Sequence, residues 1–75
     1  MNVSRGRCLL GDFIDSQGWT QAKYADIVGR HPRVISHFCK DERVMLPEDL
    51  KVASLVFKCP MDAFYEWNIE ISSIE

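Results

Sequence analysis

Glycine and proline recur along this chain at intervals that suit short helices and little else. Gly18, Gly29, Pro32, Pro47 and Pro60 cut the sequence into segments of helical length. Glycine takes the left-handed conformation that closes a helix, and proline is favoured in a first helical turn, where its missing N–H loses no partner. No repeat, low-complexity tract or long linker separates the segments, so 75 residues read as one domain.

The first segment runs from about Ser4 to Gln17. Ser4 is an N-cap candidate, Leu10, Phe13 and Ile14 share one helical face, and Gly18 closes the helix. The second opens at Thr20, with Tyr24, Ala25 and Val28 as a narrow inward stripe and Gly29 as its stop. Trp19 and Tyr24 have the spacing of a hydrophobic staple. The third starts at His31-Pro32. Ile35 and Phe38 make its inward face, and Arg33, Val34, Ser36, His37 and Lys40 point elsewhere. A loop from Asp41 to Leu46 leads to a fourth helix at Pro47, whose Glu48 and Asp49 suit the positive end of the helix dipole. Leu50, Ala53 and Phe57, or Val52 and Val56, supply its buried side. Pro60 begins a last short helix ending near Trp67, and residues 68–75 alternate like a strand. The expected fold is all-α: a compact bundle of five short helices over residues 1–67, with a central helix-turn-helix and a tail at 68–75.

Composition excludes several classes. With 47% hydrophobic residues, a core needs no disulfide or metal staple. The longest apolar runs, such as Leu55-Val56-Phe57, fall far short of a membrane span or a signal peptide, so a cytoplasmic protein is expected. Cys8, Cys39 and Cys59 are widely spaced and the histidines are only His31 and His37, so no metal site is expected. Cys39 and His37 are two apart, which on a helix turns them to different sides. No catalytic set and no cofactor motif is visible, and an enzyme is not expected. The charge divides by halves. Residues 1–40 hold six Lys/Arg against three acids, whereas residues 41–75 hold three against eight. A net acidic chain is no default nucleic-acid binder, but a basic face on an acidic body is open to it.

Two short helices joined by a tight turn describe a helix-turn-helix. The stretch GWTQAKYADIVG, Gly18 to Gly29, resembles the first half of that motif in the Cro/C1-type, or XRE, repressor family. There a glycine, an apolar residue and Thr-Gln are followed by a Leu-Ala pair and a closing apolar-Gly. Tyr24-Ala25 and Val28-Gly29 stand at the latter positions. RHPRVISHFCKD, Arg30 to Asp41, keeps the Ile35-Ser36 pair and the apolar Phe38. The Ala53 helix and Met61-Asp62 with Phe64-Tyr65 resemble the family's last two helices, so the likeness covers roughly residues 5–67. His31 stands where a small N-cap is usual, and Phe57-Lys58 replaces a single glycine. The resemblance implies a lambda repressor-like DNA-binding domain, a homodimer on a two-fold site, and a regulator of the kind phages and mobile elements carry. It also implies that Gln21 hydrogen-bonds a backbone phosphate.

The residues suggest how double-stranded DNA would be held. The α-helical N-terminus at Thr20 offers unpartnered N–H groups to a phosphate. Arg33, at the second position of the third helix, could bind guanine N7 and O6 or a phosphate; Val34 could touch a thymine methyl or be partly buried; His37 could read a base edge or lie on the surface. Ser36, further along the same helix, Lys40 and Arg43 at its end, and Arg30 in the turn complete the set, as phosphate contacts. Phe13, Trp19, Ile35, Phe38, Phe64 and Tyr65 read as core. Ile69 and Ile71, or the spare apolar Phe57, could form a dimer interface, or the tail could fold back on its own core. A rival reading keeps the helix-turn-helix but makes it a protein-binding module, an antirepressor or antitoxin-like partner independent of DNA. The acidic second half, Pro32 and the surplus apolar positions favour it.

Overall fold

A computed structural model describes residues 1–71. The chain runs β1 (Asn2–Cys8), α1 (Leu10–Ser16), α2 (Gln21–Val28), α3 (Pro32–Cys39) and α4 (Pro47–Phe57), then a 3-10 turn (Met61–Phe64) and β2 (Tyr65–Glu70). The all-α, five-helix expectation is therefore corrected: four α-helices are joined to a two-stranded antiparallel ribbon. The segment expected to form a helix from Ser4 is a strand as far as Cys8, so Ser4 caps nothing. The last short helix shrinks to one 3-10 turn, because Tyr65 is already extended (φ −137°, ψ 151°). Of the expected tail, residues 68–70 belong to β2 and 72–75 lie outside the described residues.

The ribbon ties the two ends of the chain together. Asn2 pairs with Glu70, Val3 with Ile69, Ser4 with Asn68 and Arg5 with Trp67, and an irregularity follows before Cys8 meets Tyr65. Gly6 sits in that irregular stretch, where a Cβ would stand 3.1 Å from both Cβ and O of Glu66, so a side chain there would push the strands apart. Leu9 N–H then donates to Phe64 O at 2.8 Å, joining the start of α1 to the end of the 3-10 turn.

The helical body forms around Leu10, Ile14, Tyr24, Ala25, Ile35, Phe38, Met45, Ala53 and Phe64, all buried. Phe57, considered above for an interface, is turned inward. Its ring lies 5.4 Å from Phe13, 5.7 Å from Trp19, 5.9 Å from Phe64 and 5.5 Å from Tyr24, with which it stacks at 19°. Such offset and tilted pairs add to the burial of the rings themselves. Tyr65 completes the core: its hydroxyl accepts from Met45 N–H at 3.0 Å, which fixes the loop before α4.

Candidate nucleic-acid interface

Local chemistry shapes α2 and α3 as the sequence leads one to expect. Thr20 Oγ1 accepts from Lys23 N–H at 3.1 Å, capping α2. Gly29 closes it in the left-handed conformation (φ 74°), and Arg30 N–H returns to Ala25 O at 2.9 Å. Two residues later His31 caps α3 in place of the usual small residue. Its Nδ1 accepts from Arg33 N–H at 3.0 Å, and Pro32 follows at the first helical position. The turn between the helices is thus Gly29-Arg30-His31, and α2 and α3 pack against one another.

Helix geometry sorts the residues of α3. Ile35 and Phe38 are buried, and Val34 and Cys39 are half-buried against the same core. Arg33, Ser36, His37 and Lys40 lie at i, i+3, i+4 and i+7 and so share the opposite face. Arg33 and Lys40 are exposed, and Ser36 and His37 are half-buried. Val34, for which a thymine-methyl contact and partial burial were both open, is half-buried on the flank that leans into the protein. Gln21 is exposed in the first turn of α2, and Arg43 is exposed in the loop after α3.

The cations differ in how firmly they are held. Arg30 is tied back: its guanidinium lies 3.3 Å from the Asp49 carboxylate and 5.9 Å from the Phe38 ring centre. Asp49 also accepts from Leu46 N–H at 3.0 Å, so one carboxylate joins the α2–α3 turn to the start of α4. Arg30 is therefore a brace between elements, engaged before any phosphate arrives. By contrast, among the described residues Lys23, Arg33, Lys40 and Arg43 have no carboxylate within 4.0 Å.

The acids that follow α3 are largely occupied. Asp41 turns toward β1, where its carboxylate accepts from Cys8 N–H at 3.1 Å and lies 3.8 Å from Arg5. Those contacts hold it in a left-handed conformation (φ 61°) uncommon outside glycine. Glu42 lies 3.7 Å from His37 Nε2. The charge of Asp41, next to Lys40 in the chain, is thus drawn toward β1. His37 already has an anionic neighbour, a partner that spacing along the chain did not single out.

Burial pushes the Cys39 thiol up to about 11, with the nearby Cys8 and Asp15 adding to the shift, and burial raises Cys8 too. Both stay protonated near neutrality, the unreactive form. Among the described residues no group of three or more His, Cys, Asp or Glu side chains is placed to hold a metal ion, and no helix is long and apolar enough to cross a membrane.

No protein-family model, curated protein or solved structure matches the chain.

Proposed function

We propose that this protein is a sequence-specific DNA-binding regulator of the repressor type, acting in the cytoplasm, which lays α3 in the major groove. The observation that carries the reading is the outward face of α3. Arg33, Ser36, His37 and Lys40 share it, its terminal cations are without ion-pair partners among the described residues, and its opposite face is anchored by Ile35 and Phe38. Arg33 beside the helix start is suited to a guanine edge, and His37 one turn on to a neighbouring base. Gln21, Ser36, Lys40, Arg43 and Lys23 flank them as phosphate contacts. The likeness of Gly18–Gly29 to the Cro/C1-type motif supports the same assignment.

A gel-shift series with random-sequence duplex tests it. On random-sequence duplex Arg33 has no chosen guanine and rests against the backbone with Lys23, Lys40 and Arg43, so log affinity falls with log salt at a slope of about −3.6 for one copy. The Arg33→Ala, Lys40→Ala double variant lowers the magnitude of that slope by about 1.8. A wild-type protein that fails to shift DNA at low salt, or a slope indifferent to both substitutions, removes the proposal.

A protein-binding module is the second reading, favoured by one observation: Val44, Leu46, Val52 and Leu55 are exposed on and before α4. It predicts no shift at any salt and no effect of Arg33 or Lys40.

A further inference from the structure

We propose that the cleft between α2, α3 and α4 is a binding site for a small arylalkylammonium cation, one aromatic ring joined by a short linker to a protonated amine. The cleft has a volume of about 220 Å³. Most of its lining is apolar: α1 supplies Leu10, α3 supplies Ile35 and Phe38, and the loop before α4 supplies Met45, all of them buried. Val52 and Glu48, both exposed on α4, stand where it meets solvent. An apolar cavity of about 150 Å³ already holds benzene, so this volume takes one ring and a short side arm.

One polar group in this lining lacks a partner. Tyr24 is 2% exposed, yet among the described residues its hydroxyl makes no hydrogen bond. No side-chain nitrogen or oxygen that is sealed from solvent goes without a partner among those residues, so the Tyr24 oxygen reaches the cleft that its side chain lines. The Tyr65 hydroxyl, by contrast, is engaged within the fold by Met45 N–H at 3.0 Å. A single polar group in an apolar wall is the arrangement that orients a bound small molecule. Burial, with Asp49 nearby, pushes the Tyr24 phenol up to about 12, so it stays neutral and is able both to donate and to accept.

The charge of the lining selects a cation. Arg30 and Asp49 both line the cleft and cancel, with the guanidinium 3.3 Å from the carboxylate. Glu48 remains: among the described residues no Lys, Arg or His nitrogen lies within 4.0 Å of its carboxylate. The cleft therefore carries a net negative charge, which favours an ammonium and disfavours a carboxylate. The ring lies among the apolar residues, the Tyr24 oxygen is the hydrogen-bond partner of the polar arm, and Glu48 supplies the field that prefers a positive one. The inference stands apart from the DNA reading, and its test uses no DNA.

Titration of the isotopically labelled full chain with phenethylamine, read by its amide shifts, provides the test. Saturable changes are expected at Tyr24, Val28, Phe38, Met45 and Val52, with a Kd of about 1 mM or tighter. The neutral phenethyl alcohol is expected to bind about two- to fivefold more weakly, and the anionic phenylacetate more weakly still. Tyr24→Phe keeps the ring, so it should lower affinity for the amine about fivefold and leave the urea midpoint unchanged. Glu48→Gln should lower affinity for the amine about two- to fivefold and leave that for the alcohol as it was. The proposal is overturned by the absence of a saturable change up to about 20 mM amine, or by changes centred on another part of the protein. It is overturned equally by phenylacetate binding as tightly as the amine, by an affinity that Tyr24→Phe or Glu48→Gln leaves intact, or by a lower urea midpoint in Tyr24→Phe, which would show the hydroxyl bonded within the fold.

Discussion

Replacing Phe57 with alanine tests whether the aromatic cluster holds the helical body together. Phe57 touches four rings from α1, the α1–α2 turn, α2 and the 3-10 turn, at centroid distances of 5.4–5.9 Å. Truncating a buried phenylalanine costs about 3–5 kcal/mol. Phe57 is only half-buried, so the lower end, about 3 kcal/mol, applies. A domain of this size has about 4–11 kcal/mol in all, so the variant should forfeit a large part of its stability. In urea, with a slope of about 1 kcal/mol per molar, the midpoint falls by about 3 M, and a wild type near the lower bound leaves the variant with only about 1 kcal/mol, folded without denaturant but with a visible unfolded fraction. Phe57→Leu, which keeps most of the volume, costs about 1 kcal/mol. A loss under about 1 kcal/mol for Phe57→Ala would show that the ring does not sit among its neighbours as described. Unchanged stability with an altered state of association would instead put Phe57 at an interface.

Other perturbations act on single contacts. Lys58 closes α4 in the left-handed region (φ 57°), so Lys58→Gly should raise stability by about 0.5–1 kcal/mol in the same urea assay. His31→Ala removes the α3 cap and costs about 1 kcal/mol, whereas His31→Ser retains most of it. At high pH stability should fall. Burial raises Cys39 from 9.0 to about 11 and Tyr24 from 10.0 to about 12. The unfolded chain therefore loses these protons first, and the contribution present below pH 9 disappears progressively as pH climbs toward 11 and 12. The melting temperature should drop between pH 8 and about pH 10.5, less steeply in Cys39→Ala; a flat profile refutes the burial of these groups. Arg30→Ala should leave the salt slope of DNA binding nearly unchanged while lowering stability, because its partner is Asp49 rather than phosphate.

The pair of short helices α2 and α3 was readable because its determinants are local. The Thr20 cap, the Gly18 and Gly29 stops and Pro32 act within one turn of their own positions, and the Ile35–Phe38 spacing follows from the helical period alone. The ribbon was not readable in the same way, because β1 depends on pairing with residues at the far end of the chain, as Asn2 with Glu70 and Cys8 with Tyr65. Two signals pointed to it nonetheless. Gly6 is a poor interior residue for a helix running from Ser4, and it is required where the strand passes Glu66. Alternation of Tyr65, Trp67 and Ile69 begins three residues earlier than the tail assigned at 68, and those aromatics suit a strand. Within the site, the outward set of α3 follows from periodicity. Two things did not: that Arg30 is committed to Asp49, and that Asp41 is committed to Cys8 and Arg5. Both depend on where α4 and β1 come to lie.

The central claim is that the outer face of α3 is the surface that meets DNA. Amide shifts of isotopically labelled protein, followed as duplex DNA is added at low salt, test it most directly. The largest changes should fall on Arg33, Ser36, His37 and Lys40, with a second group at Gln21 and Lys23 and little movement in α4. Changes concentrated on α4 or the ribbon, or a spectrum that ignores the duplex, would contradict it.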